Sequence, residues 1–486
     1  MSRRHFFGFR VPTMLKPLFV ASLALGLVTG CTLIPDEPHP DLPIAKTWPE
    51  GPAYGSDESR KDQTSPLWSD VSWQSFFGDP RLKRLIQVAL DNNRDFRVAV
   101  LNIEASRASL GETEANLLPH VTAGASESAS RTPADLASAF PSRPITSRDY
   151  SAKLGVTSFE LDLFGRLQSL TQQAQETLLA TESAAMTTRI SLIAEVANDY
   201  LTLLGDRKLL ALTEDTLKSR EESLVLVRRT FEKGIYSAVD VAQARTAVET
   251  ARASRTAYVR QLAQDRNALQ LVIGAPLDET LLEADLDDIR FTETAPVGLP
   301  SEVLLHRPDI TEAEHALLAA NANIGAVRAA FFPSITLTGS AGTASARLTN
   351  LFQPGSGNWT FGPSVSMPLF DAGLTQAQLD NAKATRDMDI AQYEKTVQTA
   401  FREVADALAA KGTYTDQITA QAALVDASAD SYHLSKARYE HGVDSYLSVL
   451  DSERSLFSAQ QTLVSLRVSR LSNLVTLYKV LGGGQS

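Results

Sequence analysis

A single cysteine, Cys31, stands in 486 residues, so no disulfide framework exists. Positive charge is also scarce: 46 Lys and Arg face 57 Asp and Glu, a formal net charge of -11. A chain this acidic does not track a phosphate backbone, which excludes nucleic acid as a partner. No Walker-type phosphate loop, dinucleotide fingerprint, nucleophile elbow or zinc-binding helix motif occurs in the sequence. The seven histidines (His5, His39, His120, His306, His315, His433, His441) are scattered, and His433 and His441 read as exposed helix positions. Glu160 and Asp162 alternate where a strand enters a helix, which reads as structure rather than as an acid–base pair. No enzymatic activity, metal or cofactor is expected.

Long hydrophobic runs are missing too. Arg3, Arg4, Arg10 and Lys16 precede an apolar run from Leu18 to Val28 that closes in Thr29-Gly30-Cys31. That core is too short to span a bilayer permanently, and its basic flank and small residues mark residues 1–30 as an export peptide. The Gly-Cys ending resembles a lipobox, so Cys31 is the expected lipidation site and new N-terminus. After Cys31 no apolar run reaches the length of a transmembrane helix, so any crossing must use strands.

What the chain does have is a duplication. Ser435–Arg454 repeats, roughly 208 residues later, the stretch around Arg228–Arg245. Each copy offers an aromatic and a glutamate (Phe231, Glu232; Tyr439, Glu440), a glycine (Gly234; Gly442) and then a serine (Ser237; Ser445). Glycine closes one helix in the left-handed conformation and serine caps the next, so both stretches read as helical-hairpin tips. Further pairs extend the match: Leu118-Pro119 with Phe332-Pro333, Leu163-Phe164-Gly165 with Leu369-Phe370-Asp371, and Ile273-Gly274 with Leu481-Gly482.

The expected organisation is an N-terminal arm and equatorial segment at 31–92, a first repeat at 93–274, an equatorial linker at 275–300 and a second repeat at 301–486. Hydropathy alternates with period two in two places, expected as hairpins at 120–161 and 334–369. Val121, Ala123 and Ala125 oppose Thr122, Ser126 and Ser128; Leu154 and Val156 oppose Lys153 and Thr157. In the second copy Ile335 and Leu337 alternate with Thr336, Thr338 and Ser340, and Trp359, Phe361, Val365 and Met367 with Thr360, Ser364 and Ser366. Ten-residue strands with one apolar face suit a lipid-facing barrel, with a half-buried soluble sheet as the alternative. Four strands cannot close a barrel, since closure takes about eight, so the barrel must be shared between chains. After each hairpin a helical pattern without proline runs from Phe164 to about Phe231 and from Asp371 to about Tyr439. Each such helix would be on the order of 100 Å long, suited to a tube wall or to a simple coiled coil. The class is mainly α with a small β part.

Gly298–Gly339, with the run His306-Arg307-Pro308-Asp309-Ile310, resembles the signature of outer-membrane efflux lipoproteins of the TolC family, in the OprM-like (NodT) branch. Trp73–Pro80, Phe159–Gly165 and Pro368–Gly373 resemble that family's other landmarks, so the likeness covers nearly the whole mature chain. The resemblance implies a homotrimer in which three chains build a twelve-stranded outer-membrane β-barrel continued by a periplasmic α-helical barrel. It implies a passive efflux duct in a tripartite system, with a periplasmic adaptor and a proton-driven inner-membrane RND pump as partners, outer-membrane lipid around it, and drugs as cargo. A metal-ion or type I protein-secretion duct is the alternative within the class, and a periplasmic helical-hairpin adaptor the alternative outside it. The resemblance puts the adaptor contact at the hairpin tips, where Gly234, Ile235, Gly442 and Val443 are the candidates. Asp240, Asp444 and Asp451, repeated around a threefold axis and paired with Arg438 or Arg454, are the gate candidates, although Asp240 and Asp444 also suit helix caps.

Overall fold

The computed structural model describes residues 32–36, 43–54, 71–136, 143–292 and 304–483. Residues 1–31, which include the expected export peptide and Cys31, lie outside the described residues, as do parts of the arm and the linker. The chain divides into two compact units, each drawing on both sequence repeats. One gathers 32–36, Glu104–Leu179 and His315–Ala391; the other gathers the described parts of Asp41–Ile103, Ala180–Glu314 and Gln392–Ser486.

The first unit holds the only sheet among the described residues: β1 (Val121–Thr132), β2 (Ile145–Leu161), β3 (Ser334–Ser345) and β4 (Gly357–Ser366), antiparallel in sequence order. The register assembles one apolar face. Val121 and Ala123 lie opposite Val156 and Leu154, these opposite Gly339 and Ala341, and these in turn opposite Phe361 and Trp359. Trp359, Phe361 and Val365 are 76%, 66% and 66% exposed, so this face has no cover among the described residues. The other face is a hydroxyl ladder, with Ser126–Ser151 at 2.9 Å, Ser130–Ser147 at 2.8 Å and Ser340–Thr360 at 2.8 Å. A bulge between Val156 and Phe159, where Ser158 takes φ 56°, inserts one extra residue into β2. It keeps Phe159 and Leu161 on the apolar face, opposite Leu337 and Ile335, although their parity differs from that of Leu154.

The helices repeat as the strands do. α1 (Trp73–Phe76), α2 (Pro80–Asn92) and α3 (Arg94–Ala115) precede β1; α4 (Arg166–Glu232) and α5 (Ala238–Ile273) follow β2. α6 (Pro308–Ala329) precedes β3, and α7 (Leu374–Glu440) and α8 (Tyr446–Val480) follow β4. α4 and α7 each contain 67 residues. Both start directly after a glycine of positive φ, Gly165 at 70° and Gly373 at 86°. Gly165 therefore answers to Gly373, not to Asp371 as the residue match suggested; Asp371 instead accepts from Thr375 N at 2.9 Å as a cap. Asp162 caps the first copy through Gln168 N at 2.8 Å, while Glu160 takes a two-pronged bond from Arg166 at 2.8 and 2.6 Å. Both carboxylates are structural. α3 stops at Ala115, and Asn116, Leu117 and Leu118 each bond to the carbonyl three residues back, tightening the turn before Pro119. No helix among the described residues is long and apolar enough to cross a membrane.

The core of the second unit is mainly aliphatic around an aromatic cluster. Phe76 stacks on Tyr478 with centroids 4.2 Å apart, while Leu82, Leu85, Ile86 and Ala89 bury one face of α2. Proline at N1 and the Asp79 side chain on Arg81 N (2.9 Å) start that helix. Gly274, at φ 70°, closes α5 so near α2 that a Cβ would lie 2.6 Å from Asn92 O. Arg307, almost fully buried, ties the start of α6 to α7 and α8 through Asp309 (2.7 Å), Glu403 (2.9 Å) and the Val480 carbonyl (2.8 Å).

Candidate functional site

Both helical-hairpin tips close by the same backbone chemistry. Gly234 N donates to Phe231 O at 2.8 Å and Ile235 N to Thr230 O at 3.1 Å; Gly442 N donates to Tyr439 O and Val443 N to Arg438 O, both at 2.9 Å. This double closure needs a left-handed residue, and Gly234 and Gly442 supply it at φ 75° and 72°. Nothing lies within 4 Å of where their Cβ atoms would be, so the conformation and not close packing within the chain requires glycine. Ile235 and Val443 stand out beside them, 68% and 61% exposed.

The tips differ in their carboxylates. Ser237 and Asp240 form a reciprocal capping box: Asp240 N donates to Ser237 Oγ at 3.3 Å and Ser237 N to Asp240 Oδ2 at 2.9 Å. At the second tip Ser445 is the cap residue without a side-chain bond, and Asp444 turns instead to Arg438, accepting at 2.7 and 3.0 Å. That pairing holds the Asp444 carboxyl below its ordinary range and raises the Arg438 guanidinium. Asp451, in the first turns of α8, accepts from Arg454 Nη2 at 2.6 Å, both side chains being largely exposed. The structure thus brings Arg438 to Asp444 and Arg454 to Asp451 within one chain, and spends Asp240 on a cap.

Beneath the tips lies a small closed core that the sequence patterns did not single out. Leu224, Val227, Val248, Val449, Tyr439 and Tyr446 are buried together, and the Tyr236 ring stacks on Tyr439 with centroids 5.0 Å apart. Burial, and then the charge of Glu453, pushes the Tyr446 phenol up to about 12. One step further in, Arg220 meets Glu453 at 3.4 Å, gives a second bond to Ala247 O at 3.2 Å and sits 5.7 Å above the Phe457 ring. Desolvation raises the Glu453 carboxyl more than Arg220 lowers it. The pair joins the two repeats, and no spacing rule links positions so far apart. An apolar groove of about 550 Å³ beside it is lined by Val239, Ala242, Leu447, Leu450 and Phe457, with Asp451 and Arg454 at its polar side.

A duplicated chain that carries an amphipathic four-stranded sheet, both edges open among the described residues, and two 67-residue helices closed by matching tips has the build of an outer-membrane channel subunit. The family model described as outer membrane efflux protein matches it twice, over residues 85–275 and 299–483, and the chain belongs to that family. It is 49% identical over 474 residues to the toluene efflux pump outer membrane protein TtgC of Pseudomonas putida, covering 97% of this chain and 96% of the relative. The antibiotic efflux pump outer membrane protein ArpC of Pseudomonas putida is similar to the same extent, 49% over 97% and 96%. Among solved structures, the open state of the Neisseria gonorrhoeae MtrE outer membrane channel superposes with a TM-score of 0.83 at 39% identity, over 94% of this chain and 99% of that one. The protein is an outer-membrane efflux channel of the TolC type.

Proposed function

We propose that three copies of the chain close their sheets edge to edge into a twelve-stranded barrel and that their helices continue it as a periplasmic tunnel. The carrying observation is the sheet itself: among the described residues β1 and β4 each keep an unpaired edge, while apolar and hydroxyl side chains are sorted to opposite faces. Open edges in lipid leave backbone groups unsatisfied, so a bilayer-spanning sheet must close. α3 supports the same assembly, since it buries no residue within the chain and leaves Val98, Val100 and Leu101 exposed.

In this reading the tips are the mouth that receives cargo. A periplasmic adaptor seats on Gly234, Ile235, Gly442 and Val443, and an RND-type inner-membrane pump supplies the energy. Asp444 with Arg438 and Asp451 with Arg454 form the gate, repeated three times around the axis, with Asp240 as a structural neighbour. The duct performs no chemistry on its cargo and uses no cofactor; Cys31 carries the lipid anchor. Antibiotics and aromatic solvents are the cargo, by analogy with the relatives named for antibiotic and toluene efflux.

Deleting the gene and complementing it with the wild-type chain tests the reading. The deletion strain is expected to lose resistance to antibiotics and toluene, with trimers extracted from the complemented outer membrane. Unchanged resistance to both, or a monomeric chain in the membrane, overturns it. Sensitisation confined to metal salts, or loss of a secreted protein, replaces the cargo assignment by one of the other duct classes.

A further inference from the structure

Helix α6 holds another part of the chain as well as packing within the fold. Asn321 Nδ2 donates to the carbonyls of Pro35 and Asp36 at 3.0 and 3.5 Å, and Arg328 Nη1 donates to the Leu33 carbonyl at 3.1 Å. Between them, on the same helix face, stands Gly325. A Cβ there would come 2.5 Å from Ile34 Cγ1, 3.0 Å from Ile34 N and 2.7 Å from Ser169 Oγ, so only a residue without a side chain lets the segment lie this close. Asn321 is 2% exposed, which makes its amide a committed donor rather than a surface group reaching by chance. Segment 32–36 itself forms neither helix nor strand. Its carbonyls at 33, 35 and 36 are instead satisfied by two side chains of α6.

The position of this grip along the chain gives it a purpose. Residues 33–36 follow Cys31 almost directly, and an extended residue spans at most about 3.6 Å, so a group carried two residues before Leu33 is tethered within about 7 Å of it. α6 itself leads through Pro333 into β3 at Ser334. We propose that Asn321, Gly325 and Arg328 form a receptor for the arm that follows Cys31, and that it fixes where the acyl chains enter the bilayer relative to the barrel. A slack arm would let an acyl chain add only membrane affinity, whereas a gripped one makes the lipid a positioning device. Recognition runs through backbone carbonyls, so the receptor reads the path of the arm and tolerates change in its side chains, except at Ile34, which lies over Gly325. The proposal rests on the reading of Cys31 as the lipidation site.

The test uses the full-length protein purified from outer membranes and placed in nanodiscs. In hydrogen exchange followed by mass spectrometry, the arm peptide covering 32–36 is expected to be protected in the wild type. In Asn321→Asp with Arg328→Met it should exchange at least tenfold faster, while peptides of β3 and β4 keep their protection. Arg328→Lys should restore part of the effect. These substitutions remove donors without adding bulk; Gly325→Leu is a second route to the same release. A thiol probe at Thr32→Cys, quenched by lipids labelled at defined depths, should report one depth in the wild type and a broadened distribution in the double variant. Equal arm protection in both proteins overturns the receptor, and equal probe depth despite lost protection overturns its anchoring role. The intact mass is measured in parallel: an unmodified Cys31 overturns the lipid reading and the anchoring role with it, while the exchange result still decides the receptor.

Discussion

Tyr236 of the first tip stacks on Tyr439 of the second, ring centroids 5.0 Å apart and planes 22° from parallel. Tyr446 closes the group at 5.2 Å from Tyr439. The two repeats are therefore locked to each other just where the helices turn. Tyr439→Ala removes the central ring, at a cost of about 3–5 kcal/mol from lost burial and cavity, and should open both tips to proteolysis near Lys233 and His441 while the sheet stays intact. Limited digestion with product mapping checks this; a variant as resistant as the wild type refutes the lock.

Arg220 and Glu453 test the same region by charge. Their side chains are 8% and 11% exposed, so Arg220→Ala leaves a carboxylate buried without its partner, at a cost of about 3–5 kcal/mol. Replacing both, Arg220→Met with Glu453→Leu, should recover most of that loss. Thermal unfolding of the two variants decides it, and a double replacement no better than the single one would assign the stability to the contact with Phe457 instead.

For the gate, Asp444→Ala with Asp451→Ala should raise single-channel conductance and weaken cation preference in planar bilayers, with the trimer intact. Asp240→Ala should instead cost about 1 kcal/mol at the start of α5 and leave conductance unchanged, because its carboxylate serves the cap. Wild-type conductance and selectivity in the double variant would remove these aspartates from the gate.

In the barrel, Val365 lies on the apolar face opposite Ile335, and Ser364 on the hydroxyl face opposite Thr336. Val365→Lys, one residue from the helix-side end of β4, should cost up to about 1 kcal/mol and lower trimer yield in the outer membrane more than Ser364→Lys does. Equal yields would reverse the lipid face.

Buried carboxyls make stability depend on pH. Asp206 is pushed up to about 6 by burial and then by its hydrogen bond with Asp265, and Asp199 up to about 6 by burial, Glu195 and Asp265. A raised carboxyl binds its proton more tightly when folded, so this stabilisation is full below about pH 4 and is lost as pH rises through about 6. Both groups are only partly buried, so solvent screening limits each to on the order of 1 kcal/mol. Asp206→Asn should raise the unfolding midpoint at pH 7.5 and flatten its slope between pH 4 and 6; an unchanged slope would show that these carboxyls do not carry it.

The parts of this fold that were legible in the sequence are those dictated by local backbone chemistry. Gly234 and Gly442 announced the tips because only glycine meets a left-handed closure cheaply, and Val121–Ala125 or Trp359–Val365 announced strands because lipid demands strict alternation. The bulge at Ser158 was invisible, since serine carries no mark of positive φ and the pattern simply changed parity after Val156. Gly165 and Gly373 were mismatched because the residues around them align better out of register than their conformations do. The tyrosine core and the Arg220–Glu453 pair lay beyond reach for a different reason: they arise from packing one repeat on the other, which no spacing encodes. Asn321, Gly325 and Arg328 sat inside a recognised signature, yet their partner is the remote arm.

The order of the ladder also sets a timetable for folding. The β1–β2 and β3–β4 ladders join neighbours along the chain and can form as local hairpins. The central seam cannot, because Leu161 finds Ile335 only after the whole of α4, α5 and α6 has been made. Loop closure on that scale is slower than hairpin closure. The seam between β2 and β3 is thus the most non-local contact of the sheet, the pairing that contact order makes slowest to form.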